Sequence, residues 1–170
     1  MNKAKLLLLL VLSSSPTFAQ QVPRFELDVL WPQVPLGDNW LTGGLGGMCV
    51  DGRDHVYLLN RQNVVPDDLD GATMAPPIIE LDPAGRVVRG WGDPELLGGR
   101  LHDCHVDAQQ NLWIVAAATG YIQKWSSDGS ELLMQIGEKG TFDSSDGTRQ
   151  SRALNSDRAQ FFLPSAVDID

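Results

Sequence analysis

The feature that most constrains this chain is a motif that returns three times. Leu45-Gly46-Gly47-Met48-Cys49-Val50-Asp51, Leu101-His102-Asp103-Cys104-His105-Val106-Asp107 and Pro164-Ser165-Ala166-Val167-Asp168-Ile169-Asp170 each run as a short segment into an aspartate. The first two are followed by a polar corner (Gly52 to His55, Ala108 to Asn111) and a β-rich run (Val56 to Leu59, Leu112 to Ala116). Alternation, turn residues and a second apolar run predict strand, turn, strand. Two more strands follow in each copy: Pro77–Asp82 and Val87–Gly92, then Tyr121–Trp125 and Glu131–Gly137, with turns at Pro83-Ala84-Gly85 and Ser127-Asp128-Gly129. Four short strands in about 40 residues is the size of one β-propeller blade. The aligned aspartates lie 56 and 63 residues apart, so long loops interrupt the repeat. No stretch keeps helical periodicity over three turns. The class is therefore all-β: about two blades plus the first strand of a third.

Residues 1–19 read as a secretory signal peptide, with Lys3 and Lys5 before the apolar run Leu6 to Leu12 and small residues at Thr17 and Ala19. The run is short for a bilayer span, the alternative being a retained anchor. Cleavage before Gln20 implies a secreted or periplasmic protein with no membrane segment. It also takes the net charge from −9 to −11. Such an acidic chain, without a basic stripe, is a poor partner for a phosphate backbone, so nucleic acid is set aside. The mature length, about 150 residues, supports one modest core. It is too short for a closed ring of blades of about 40–45 residues each. A longer gene product is the expectation, with the last strand otherwise left as an unpaired edge.

Cys49 and Cys104 stand two and three residues before their aspartates. On regular strands they face opposite ways. Two separate buried thiols are expected, with a disulfide as the alternative.

Residues 20–44 form a Pro- and Gly-rich lead-in in which Phe25–Leu30 alternates like a short strand. The glycines Gly43, Gly44, Gly46 and Gly47 do not make a dinucleotide fingerprint, because Cys49 stands where its last glycine belongs and no helix follows. They are expected to allow close backbone approach at the first strand. Asn60–Pro76 and Gly140–Gln160 are long polar insertions. Neither fits a calcium-binding helix–loop–helix, since Pro66 and Pro77 in the first and Phe142 in the second occupy ligand positions. Solvated or disordered loops are the expectation for both.

The pattern P-x-x-V-x-V-D, polar corner, L-W-I-V, I-Q-K-W, D-G, I-G resembles the NHL-repeat β-propellers. Within these it resembles the peptidyl-α-hydroxyglycine α-amidating lyases and their bacterial relatives, over roughly residues 30–170. The resemblance implies a six-bladed parent with an axial zinc held by three histidines, each five residues before a repeat aspartate. His102 stands there before Asp107, with Leu101 in place of the usual proline; Ser165 at the matching place is no ligand. It further implies a catalytic arginine at Arg61, and a structural calcium on backbone carbonyls three residues before the aspartates, those of Met48 and Cys104. The other two histidines and a catalytic tyrosine would fall after Asp170. The implied reaction cleaves the C–N bond of a carbinolamide, giving a peptide amide and glyoxylate. A guanidinium suits its carboxylate, and zinc suits its oxygens.

Each residue also has a plainer reading. His102 and His105, at odd spacing on a strand, are expected on opposite faces, so one ion cannot easily take both. A hydrogen-bonded, partly buried histidine is the alternative for either. His55 is expected to be solvated in its turn, and Arg61 has Asp67 or Asp68 as alternative partners. Trp91, Trp113 and Trp125 are assigned to packing between blades. Two functions follow: a zinc-dependent lyase acting on a peptide or small-molecule substrate, inactive as this fragment alone, or a non-catalytic propeller binding a protein, peptide or carbohydrate.

Overall fold

In the computed structural model, residues 22–170 are described; the segment read as a signal peptide lies outside them. The chain enters through β1 (Trp40–Leu41), which pairs in parallel with β4 (Thr73–Met74). Between and beyond these, β2 (Leu45–Val50), β3 (Val56–Asn60), β5 (Ile78–Leu81) and β6 (Val87–Trp91) form a four-stranded antiparallel meander. After a helical turn, α1 (Pro94–Leu97), a second meander repeats the plan with β7 (Leu101–Val106), β8 (Leu112–Ala116), β9 (Tyr121–Trp125) and β10 (Leu132–Ile136). The architecture is all-β, and its two four-stranded meanders are consistent with a partial propeller, each meander standing as one blade. Among the described residues no helix is long and apolar enough to cross a membrane.

The repeat aspartate has a local cause. Asp51 Oδ1 accepts from the backbone N–H of Arg53 and His55 at 2.8 and 3.0 Å, and Asp107 Oδ1 accepts from Gln109 and Asn111 at 3.0 and 2.9 Å. Each carboxylate thus closes the hairpin between its blade's first two strands. Three residues on, Asp54 and Gln110 take the same left-handed conformation (φ 61° and 66°). The motif is a hairpin corner, repeated.

The blades meet face to face around Tyr57, Leu59, Ile78, Leu97, Leu101, Leu112, Ile114, Tyr121 and Trp125. Full burial of one such Leu or Ile side chain is worth about 1.5–3 kcal/mol, so this seam is the main force joining them. Trp91 and Trp125 pack across it with ring centroids 5.8 Å apart, as expected. Trp113 instead faces away, under Phe161, Val167 and Ile169. The lead-in covers the other side of the first blade with Trp31, Leu36 and Trp40. Its segment Phe25–Leu30 is exposed and forms no strand, because no neighbouring strand offers it a ladder.

Cys49 and Cys104 form a disulfide, with Cα atoms 5.6 Å apart, and are not separate thiols. The opposite facing of the two positions is what joins them. The face of one blade that looks forward meets the face of the next that looks back, so opposite side chains on equivalent strands converge at the seam. The glycines do permit close approach: a Cβ on Gly46 would lie 1.9 Å from the Leu101 carbonyl oxygen, and one on Gly47 2.6 Å from that of His102.

The two insertions follow defined paths rather than loose ones. In the first, buried Asn60 donates to the Ala75 carbonyl and accepts from Gly43 N–H. In the second, Asp143 accepts from Ser156 N–H, Ser156 Oγ and Asp157 N–H, and Ser144 bridges Ala153. The third copy of the motif runs along β7, without a strand ladder of its own among the described residues.

Candidate functional site

The predicted residues gather where the inner strands begin. Both β2 and β7 carry a bulge at the same repeat position: the ladder shifts between Leu45 and Gly47, and again between Leu101 and Asp103. The extra residue is Gly46 in one blade and His102 in the other. A bulge bends the strand and re-aims side chains. Its effect here is visible in the partners. Leu101 and Cys104, an odd spacing apart, both enter the seam. His102, Asp103 and His105 all turn to the third motif: His102 Nδ1 lies 2.9 Å from the Ser165 carbonyl oxygen, Asp103 Oδ2 accepts from Val167 N–H at 3.0 Å, and His105 Nδ1 lies 3.2 Å from Asp168 Oδ1. The expectation that His102 and His105 point to opposite faces fails, because the alternation rule holds only for an unbroken ladder.

The Ser165 carbonyl can only accept. His102 Nδ1 therefore carries the proton in that bond, and the lone pair of the neutral ring sits on Nε2.

Arg61 follows β3 at this same end. Its Nε donates to the Leu101 carbonyl oxygen at 3.2 Å, one residue before His102, and its backbone N–H is held by the Gly44 carbonyl at 3.0 Å. Among the described residues its guanidinium pairs with no carboxylate, Asp67 and Asp68 included. Arg61 thus reaches the backbone of the residue before His102, and among the described residues neither its outer guanidinium nitrogens nor His102 Nε2 has a hydrogen-bond partner. Met48 lies in β2 with its side chain exposed, and Cys104 lies in β7 with its sulfur in the disulfide. Their side chains are no site; only their backbone carbonyls remain as candidate ligands.

The opposite end holds a group that the sequence did not single out. Glu80, fully buried in the apolar strand β5, accepts from Arg89 Nε at 2.5 Å, His55 Nδ1 at 2.8 Å and Arg53 Nη2 at 3.3 Å. Arg53 also grips Asp51 Oδ2 at 2.6 Å, and Arg89 reaches across to the Ser127 and Asp128 carbonyls of the second blade at 2.5 and 2.6 Å. His55 is thus paired and mostly shielded, not solvated. The signal available beforehand was a glutamate inside Ile78–Leu81, since a charge there must find a partner. A cleft of about 680 Å³ opens beside this group, lined by Arg53, Glu80, Arg89, Gln110 and Asp128. Asp51, His55 and Glu80 offer ligand atoms within 4.8 Å of one another, yet two guanidiniums already neutralise the two carboxylates. The set does not fit a cation.

Electrostatics follow the same division. Burial pushes the Asp51 carboxyl up, but the Arg53 guanidinium and two backbone N–H groups outweigh it and hold it below the usual range. Asp107 is likewise raised by burial and lowered further by Lys124, 2.8 Å away, with Asn111 and Trp113, to well below the ordinary carboxylate range.

No protein-family model matches the chain, and no curated protein matches its sequence. Among solved structures, it is similar to virginiamycin B lyase from Staphylococcus aureus, in a selenomethionine-substituted form and in a catalytically inactive form with quinupristin. Each match has 12% identity and a TM-score of 0.38, and covers 61% of this chain and 32% of the other. The chain thus spans about a third of their length. No activity carries over from that match.

Proposed function

We propose that the Arg61–His102 end belongs to a secreted, zinc-dependent lyase of the amidating type, within an NHL-like propeller. The observation that carries this is the His102 hydrogen bond: an imidazole whose Nδ1–H is fixed on a carbonyl presents Nε2 in the manner of a metal ligand. One imidazole fits one place in a zinc site, and the remaining ligands would come from other blades of the whole protein. Zinc, when bound, polarises oxygen ligands as a Lewis acid. Arg61 would hold the substrate carboxylate through its outer nitrogens while Nε stays on the Leu101 carbonyl. In the reaction the hydroxyl proton of the carbinolamide leaves as its C–O bond becomes a carbonyl. The C–N bond breaks, and the amide nitrogen takes up a proton. Glyoxylate and the peptide amide result.

On this reading the Met48 and Cys104 carbonyls would take a structural calcium between inner strands that the disulfide ties together. That disulfide also supports an oxidising, extracytoplasmic setting.

The protein from its complete coding sequence tests this. It should bind zinc and convert a peptidyl-α-hydroxyglycine to amide and glyoxylate. His102→Ala should lose the zinc, and Arg61→Ala should lower kcat/KM by about 10–100-fold, the worth of a charged hydrogen bond. A metal-free protein without turnover would leave a non-catalytic binding propeller.

A further inference from the structure

We propose that the protein pairs with a second copy of itself by strand exchange, Phe25–Leu30 of each copy adding to the free edge of β6 in the other. The proposal is independent of the reading given to the Arg61–His102 end.

One chain holds both halves of such a contact. Phe25-Glu26-Leu27-Asp28-Val29-Leu30 alternates like a strand but belongs to no sheet, and Phe25, Leu27 and Val29 are 91%, 88% and 79% exposed. The first meander, conversely, ends in β6, whose outer side has no strand beside it. Beyond the ladder to β5, no backbone hydrogen bond reaches Val87–Trp91 among the described residues. An unpaired edge of this kind is a template for another strand. A groove of about 490 Å³ borders it, lined by residues 86–90 and, from the lead-in, by Gln33, Pro35 and Trp40.

The two faces of the pairing match. On one face β6 offers Val87, packed with Leu36 and Trp40 of the lead-in, as apolar cover for Phe25, Leu27 and Val29. On the other it offers Arg89, opposite Glu80 in the ladder, and the neighbouring Arg86, as positive charge for Glu26 and Asp28. Arg86 holds Asp82 through Nε and Nη2, which leaves Nη1 for a second carboxylate. Apolar neighbours and opposite charges are the pairs that stabilise adjacent strands. The other outer strand, β10, also exposes Leu132, Leu133 and Met134, but it has no basic residue and follows Glu131. The acidic segment is matched at β6 and not there.

The lead-in is pinned where β6 begins. Gln33 N–H donates to the Gly85 carbonyl at 2.9 Å, and its side-chain amide to the Ala84 carbonyl at 3.1 Å. The segment therefore leaves each copy next to the groove. Strand and edge side by side on one surface form a self-complementary patch, the condition for a closed twofold pair.

Light scattering on the protein from its complete coding sequence tests this, with Leu27→Asp and the double variant Glu26→Lys/Asp28→Lys alongside. The wild type should be a dimer at micromolar concentration. Leu27→Asp should raise its dissociation constant at least about tenfold, and the double variant should raise it as well. Both should keep the wild-type circular dichroism, because the substituted side chains lie outside the core. Under oxidation, a Leu27→Cys chain mixed with a Val88→Cys chain should give a disulfide-linked heterodimer. A monomeric wild type, or a dimer that either variant leaves unmoved, would overturn the proposal. So would a Leu27→Cys/Val88→Cys chain that cross-links only within itself.

Discussion

The two ends of the blades use the same residue types in opposite ways. At the corner end, Asp51, Asp107 and Glu80 are buried, and every cation near them is paired. At the other end, among the described residues, Arg61 pairs with no carboxylate, and His102 sits on a bulge with one ring nitrogen committed to the Ser165 carbonyl. Satisfied charge holds a turn in place, whereas unsatisfied charge costs little only where water or a ligand can reach it. On the proposed reading, stability belongs to the corner end and binding to the other.

The seam between the ends sets the largest expected effect. Replacing both Cys49 and Cys104 by serine releases a loop of 55 residues, for which the chain-entropy model gives about 4 kcal/mol of lost stability. Denaturant unfolding measures it; an unchanged midpoint would mean that the blades are held by apolar contact alone.

Next comes the corner. Asp107→Ala removes the acceptor of two backbone N–H groups and leaves Lys124 unpaired, at about 2–3 kcal/mol. It should not alter ligand binding at the Arg61 end, and a binding defect equal to the stability defect would break the division. Acid probes the same groups without mutation. Asp51 and Asp107 have folded-state values below their unfolded ones, so their stabilisation is full above the unfolded value near 3.8 and is lost as pH falls below it. Thermal melting should therefore weaken below about pH 4, and less so in Asp107→Asn. The smallest stability effect is predicted for Arg61→Ala, about 0.5 kcal/mol, since the side chain has one exposed-end hydrogen bond to lose.

Much of the fold was legible. The strands Leu112–Ala116 and Tyr121–Trp125 were read with the bounds they have, because alternation and turn residues are local signals. So was the corner at each repeat aspartate. What escaped depends on neighbours in space. The disulfide stood only as the alternative because side-chain parity within a blade says nothing until adjacent blades are placed face to face. The shared orientation of His102 and His105 was missed because a bulge has no clear signature in Leu101–Val106. The pairing of His55 with Glu80 joins residues 25 apart whose strands had to be aligned first. Of the candidate site, Arg61 and His102 were legible, while the bulge that turns His102 toward the third motif was not.

The most direct test of the account is the ring nitrogen spectrum of His55, His102 and His105 in the protein from its complete coding sequence, followed during zinc addition. The account predicts that His102 is the Nδ1–H tautomer near neutral pH and that its Nε2 resonance moves on zinc binding, while His55, held by Glu80, does not respond. An Nε2–H tautomer at His102, or a zinc response at His55 with none at His102, would contradict it.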